Sequence, residues 1–110
     1  MKVKDIAKVQ GGFAFKSSDF LPKGTPIIRI GNIENLKVKI DYNICYKEEF
    51  WNENKIYRIN YGDILIALSG ATVGKVGMYL SKDKALLNQR VAMLLPFENI
   101  DKKYLFYYCL

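Results

Sequence analysis

The chain has 110 residues, with 17 Lys and Arg against 11 Asp and Glu and no His, which gives a formal net charge of +6. Hydrophobic residues at 50% and charged residues at 25% are the balance of one globular domain, residues 1–110, and exclude a disordered polycation. The missing histidine excludes Ser-His-Asp and Cys-His nucleophiles, zincin helices, His-based nucleases and the zinc deaminase signature.

In chain order, VKDIAKVQ carries apolar Val3, Ile6, Ala7 and Val9, which suits one helical turn or a short strand, and stops at Gly11-Gly12. FAFKSSDFLPKG mixes aromatics with Lys, Ser and Asp and ends in Pro22 and Gly24, an ordered surface loop anchored by its aromatics. TPIIRIGNI supplies Ile27, Ile28, Ile30 and Ile33 for a buried strand that Gly31-Asn32 breaks or bulges. LKVKIDYNICY alternates through Leu36, Val38 and Ile40 as a half-buried strand. KEEFWNENK, residues 47–55, is polar around Phe50 and Trp51 and reads as a short surface helix, followed by a turn at Tyr61-Gly62-Asp63. The continuous apolar run from Ile64 to Leu68 is the clearest strand and should be covered on both faces. Gly70, Gly74 and Gly77 then surround a hairpin whose second arm carries Val73, Val76, Met78 and Tyr79. Another strand is centred on Val91 to Leu95 and stopped by Pro96. Asp101 is placed to N-cap a helix with Tyr104, Leu105, Tyr108 and Cys109 at helical spacing. The expected class is α+β: a twisted, mainly antiparallel, partly barrel-like sheet with short peripheral helices.

Cys45 and Cys109 form no C-x-x-C pair, so they read as small core hydrophobes in a reducing compartment. Met1 is followed by an amphipathic stretch and not by the apolar core of a signal peptide. No apolar run approaches the roughly 20 residues of a membrane span, so a cytoplasmic protein with no membrane partner is expected.

Two short motifs suggest enzymatic chemistry and both fit poorly. Gly70-Ala71-Thr72-Val73-Gly74-Lys75 follows a strand as a phosphate-binding loop does, but the required first glycine falls on Ser69 and the metal-binding hydroxyl on Val76. Asp41 with Glu53-Asn54-Lys55 has the residue types of a metal-dependent nuclease, which sets E-x-K on a strand with apolar neighbours. Here the segment is polar and reads as a loop or helix end.

Basic and amide side chains recur instead in the predicted loops: Lys16-Ser17-Ser18, Arg29 beside Gly31-Asn32, Ser69 through Thr72 to Lys75, and Asn88-Gln89-Arg90. Arg, Asn and Gln make bidentate contacts to guanine or adenine edges, while Lys, Ser and Thr contact phosphates. Excess positive charge supports a polyanionic partner. The competing readings are a solubilising surface on a domain that binds only protein, and the small metal-dependent nuclease.

The blocks VKDIAKVQGGFAFKSSDF, TPIIRIGNI, GDILIALSGATVGKVGMY, NQRVAMLLP and YLFYYCL, in that order, resemble a target recognition domain of the specificity (S) subunit of type I restriction-modification systems. The resemblance implies a non-enzymatic module that reads one half-site of a bipartite sequence in double-stranded DNA. It implies no cofactor and no small-molecule substrate, because the methyltransferase (modification) and restriction subunits supply adenine methylation and ATP-dependent cleavage. A second recognition domain and the long spacer helices of the family are not in these residues, so an excised fragment or a truncated subunit is expected. On this reading Lys16 and Lys75 hold phosphates, with Ser17, Ser18, Ser69 and Thr72 as further contacts. Arg29, Asn32, Asn88, Gln89 and Arg90 address base edges, unless Asn32 only satisfies a turn or Arg90 an ion pair.

Overall fold

The computed structural model describes residues 7–69, 72–97 and 101. Its strands are β1 (Ala7–Gly11), β2 (Thr25–Ile28), β3 (Ile33–Glu34), β4 (Lys37–Val38), β5 (Cys45–Tyr46), β6 (Arg58–Ile59), β7 (Ile64–Ser69), β8 (Thr72–Met78), β9 (Ala85–Leu87) and β10 (Val91–Pro96), with one short helix, α1 (Glu48–Glu53). They form a six-stranded sheet in the order β1-β10-β7-β8-β4-β3 and a four-stranded sheet in the order β5-β2-β9-β6. The class is α+β, and the sheets do not close into a barrel. Among the described strands every pairing is antiparallel except β2 with β9 and β4 with β8.

Alternation along β7 and β10 explains how the layers form. Leu65, Ala67, Val91 and Met93 point to one face, where they meet Ile28, Ile59, Ala85 and Leu87 of the smaller sheet. Ile64, Ile66, Ala92 and Leu94 point to the other face and cluster with Ala7 and Val76. Both central strands are therefore buried on both sides, as an uninterrupted apolar run requires. The far face of the smaller sheet buries Ile27 and Leu86 under Phe15 and Phe50. Phe13, Phe15, Tyr46, Phe50 and Tyr57 surround that cap with ring centroids 4.7–6.1 Å apart, mostly tilted or edge-on, which suits their quadrupoles. The aromatic anchors expected of the 13–24 loop are Phe13, Phe15 and Phe20, all packed in this cluster.

Several sequence expectations need correction. Residues 36–40 do not form one alternating strand, because only Lys37–Val38 pairs in β4. Beyond it Lys39 is drawn onto Asn32: Lys39 N–H donates to the Asn32 carbonyl at 2.7 Å, and Asn32 Nδ2 donates to the Lys39 carbonyl at 2.8 Å. Ala85–Leu87 is a strand of its own, too short to show a period in the sequence. Of the two alternatives open for the segment at Ala7, helical turn or short strand, the strand is the one that forms. The expected hairpin is β7–β8, though Gly70 lies outside the described residues, as do Val3, Ile6 and the helix expected after Asp101 with Cys109.

The turn at 60–63 forms as expected. Asp63 N–H donates to the Asn60 carbonyl at 3.0 Å, the Asp63 carboxylate accepts the Asn60 N–H at 2.7 Å, and Gly62 takes the positive φ of +88° that a type II turn needs at its third position. The β3–β4 turn is less well suited to its residues. Asn35 and Leu36 both have positive φ, +53° and +65°, as a type I′ hairpin demands, yet the second position holds an exposed leucine where glycine is favoured. A left-handed L residue costs about 1–2 kcal/mol. Glycine returns part of that through its greater freedom when unfolded, so Leu36→Gly is expected to raise the urea midpoint, by a few tenths to about 1 kcal/mol in stability at unchanged m value. An unchanged or lower midpoint would show that this turn stores no strain.

Candidate nucleic-acid interface

The parallel pairing of β2 with β9 assembles the site. Ile27 stands beside Leu86 and Ile28 beside Leu87, so both strands end at one edge, where Asn88 N–H donates to the Ile28 carbonyl at 3.2 Å. Arg29 and the Asn88-Gln89-Arg90 turn, far apart in sequence, leave the sheet side by side and line an open cavity of about 410 Å³ with Ile30 and Gly31. A third segment clamps this edge, since Phe13 donates its N–H to the Leu87 carbonyl and accepts the Gln89 N–H, both at 2.9 Å. That approach requires Gly12, because a Cβ there would lie 1.9 Å from the Asn88 carbonyl oxygen.

The side chains at this edge divide into those spent on the fold and those left available. Asn32 is 9% exposed, and its amide accepts the Arg29 N–H at 2.7 Å and donates to Lys39, so it satisfies the turn. Asn88 Oδ1 accepts the Gln89 N–H at 2.9 Å and shapes the next turn. Gln89 and Arg90 are exposed, and their side chains make no hydrogen bond or ion pair among the described residues. Arg90 also has a φ of +69°, rare for a long L side chain and a kind of strain that concentrates at functional sites. The Arg29 guanidinium lies 5.9 Å from the Phe20 ring centroid, with a buried Nε that has no partner among the described residues.

Among the described residues, the remaining candidates do not line this cavity. Lys75 is exposed on β8 opposite Ala67, and Ala67 is opposite Val91, the residue after Arg90. Two strand spacings, about 10 Å, thus separate Lys75 from the start of β10. Ser69 and Thr72 face each other at the hairpin end, and the contacts expected of their side chains lie outside what the structure describes. Lys16, Ser17 and Ser18 are exposed on a 3-10 turn, Ser17–Asp19, and none of them lines the cavity. Their link to it is Phe20, the ring beside Arg29.

A second cavity of about 440 Å³ adjoins the first at Gly31 and is lined by Asn32, Lys39, Ile40, Asp41, Tyr42 and Asn43. Lys39 and Asn43 escaped the sequence reading because the apparent alternation assigned 36–40 to a strand; Asp41 followed by Asn43 is the signal of an Asx turn that would have marked a loop. Asp41 Oδ1 does accept the Asn43 N–H at 2.9 Å.

The nuclease constellation has no comparable geometry. Glu53 ends α1 and Lys55 opens the 3-10 turn Lys55–Tyr57, both exposed and neither on a strand. Among the described residues no three of His, Cys, Asp and Glu are grouped to hold a metal. Cys45 is a buried thiol that donates to the Tyr42 carbonyl at 3.2 Å, and burial, then the nearby Asp41 charge, pushes its pKa up and away from the reactive thiolate. No described helix is long and apolar enough to cross a membrane.

Known proteins resemble this chain in sequence and in fold. The chain is 31% identical to the specificity subunit of the type I restriction enzyme MjaVIII of Methanocaldococcus jannaschii over 97% of its own length and 26% of that protein's. It is 28% identical to the EcoBI specificity subunit of Escherichia coli over its whole length and 22% of that protein's. The chain therefore spans about a quarter of the curated relatives it matches. Among solved structures, a chain from a type I restriction-modification system studied for its complex assembly superposes with a TM-score of 0.71 at 18% identity, covering 99% of this chain and 26% of that one. The HsdS subunit of Thermoanaerobacter tengcongensis superposes at 0.68 and 16% identity, again over 99% and 26%. With the family model matched across residues 1–110, the chain belongs to the type I restriction modification DNA specificity domain family.

Proposed function

We propose that this chain is a non-catalytic DNA reader that recognises one half-site of a bipartite duplex target for a type I restriction-modification enzyme. The observation that carries this is the convergence of Arg29, Gln89 and Arg90 on one open edge, each with polar groups that no neighbour among the described residues consumes. An arginine offers a rigid fork to guanine O6 and N7, and a glutamine amide matches adenine N6 and N7. Lys75 stands where a phosphate contact orients the duplex, and the net charge of +6 favours the polyanion. The relatives are named as specificity subunits of type I restriction enzymes, which supports a recognition module whose catalytic work falls to other subunits.

Binding of duplex DNA without metal or nucleotide, measured by anisotropy across a salt series, tests this reading. Lys75→Ala is expected to weaken binding evenly across sequences and to shallow the salt slope by about one. An unchanged slope would remove Lys75 from the interface. No salt-dependent binding by the wild-type chain would favour a protein-interaction domain instead.

A further inference from the structure

Four glycines have a structural reason to be glycine. Gly12, Gly24 and Gly77 would place a Cβ within 3.0 Å of a neighbouring atom, and Gly62 needs its positive φ. Gly31 has neither reason: its φ is ordinary, nothing lies within 4 Å of a Cβ built there, and it is exposed. Gly11 is equally open, but it lies on β1 and borders neither cavity described above. Gly31 is also the summit of the Ile30–Asn32 turn and the wall shared by the two cavities, with Arg29 and Arg90 on one side and Lys39 and Asn43 on the other. A glycine that the fold does not need, on a ridge between two polar hollows, is suited to close approach by another molecule.

We infer that the Ile30–Asn32 turn is a ridge that enters a groove of duplex DNA, with Gly31 at the closest approach and Lys39 and Asn43 contacting the duplex on the side away from Arg29 and Arg90. This rests on the DNA-reading function proposed above and extends it to residues outside the first cavity. The far side is built as firmly as the near one. Lys39 is held by two hydrogen bonds to Asn32, at 2.7 and 2.8 Å, and Asn43 by its N–H to Asp41 at 2.9 Å. The Lys39 amine and the Asn43 amide are exposed and make no hydrogen bond among the described residues, so both are available, Lys39 to a phosphate and Asn43 to an adenine edge. A major groove about 12 Å wide admits a ridge of one helical turn.

The test uses the purified chain and a pool of duplexes with a randomised core, sequencing the bound fraction and measuring salt slopes on a fixed duplex. Gly31→Ala is expected to melt at or above the wild-type temperature, since alanine limits the unfolded chain more, and to bind at least about tenfold more weakly. Lys39→Ala should shallow the slope by about one. Asn43→Ala should relax the sequence preference at a position other than the one relaxed by Arg90→Ala. If all three bind as wild type while Arg90→Ala loses preference, the ridge is overturned and the DNA-reading function stands. If Gly31→Ala melts earlier, Gly31 is a structural glycine and its role here is wrong; wild-type slope and preference in Lys39→Ala and Asn43→Ala would then overturn the remainder. If the wild-type chain shows neither preference nor salt dependence, the DNA-reading function itself fails and the ridge with it.

Discussion

Arg90→Gly is expected to give a chain that is more stable than wild type and discriminates DNA sequences less well. Arg90 holds a φ of +69° where the chain leaves the Asn88-Gln89-Arg90 turn to begin β10. The left-handed region costs an L residue about 1–2 kcal/mol, which glycine avoids. Glycine returns about 0.5–1 kcal/mol of that through its greater freedom when unfolded, so the net gain is a few tenths to about 1 kcal/mol. For a domain of this size about 1 kcal/mol corresponds to roughly 4 °C in Tm. The functional effect is larger and opposite. A bidentate arginine contributes about 1–3 kcal/mol of discrimination against the wrong base, so the preferred duplex should lose roughly five- to 150-fold in affinity over a mismatched one. Thermal melts and competition anisotropy on the same preparation measure both. A chain that melts lower would show that Arg90 is not strained, and one that keeps full discrimination would show that it is not a reader.

Gly12→Ala is expected to be among the most damaging single-methyl additions available in this chain. The new Cβ would lie 1.9 Å from the Asn88 carbonyl oxygen, 2.3 Å from its carbonyl carbon and 2.8 Å from the Leu87 carbonyl oxygen. All three are backbone atoms, so no rotamer change relieves the clash. Overpacking in a dense interior costs about 1–3 kcal/mol even where side chains can move. Here the hydrogen bonds joining Phe13 to Leu87 and Gln89 must also lengthen or break. A loss of about 3 kcal/mol or more is expected in urea unfolding, together with weaker DNA binding, because the displaced segment carries Gln89 and Arg90. A midpoint within about 0.5 kcal/mol of wild type would contradict the close approach. Leu36→Gly provides the contrast, since there the sign is set by a left-handed φ in a turn and at Gly12 by the approach of a distant backbone segment.

Much of the local structure was legible because it depends on local chemistry. The run from Ile64 to Leu68 announced a doubly covered strand, and Ile64 and Ile66 do fall in one cluster while Leu65 and Ala67 fall in the other. Tyr61-Gly62-Asp63 announced its turn through the one residue that takes positive φ without penalty. The sequence misled where a pattern was too short to be decisive. Alternation over Leu36, Val38 and Ile40 predicted a strand, but hydrogen bonds between Asn32 and Lys39 compete for the same backbone and end β4 at Val38. Asn32, a candidate base reader, is a scaffold residue for the same reason.

The sequence by itself determined a basic chain without histidine chemistry, its strong strands and turns, and the pool of arginines, lysines and amides on which the proposed DNA reader draws, because composition and short-range pattern act residue by residue. Only the tertiary structure decided which of those side chains stand together. Arg29 and Arg90 share a cavity because β2 and β9 pair in parallel, and a parallel pairing between distant strands depends on hydrogen bonds and burial that no local window contains. The same long-range packing sets Lys75 about 10 Å from the start of β10 and leaves Gly31 bare between two hollows, while hydrogen bonds to Arg29 and Lys39, nearby in the chain, spend Asn32 on the backbone.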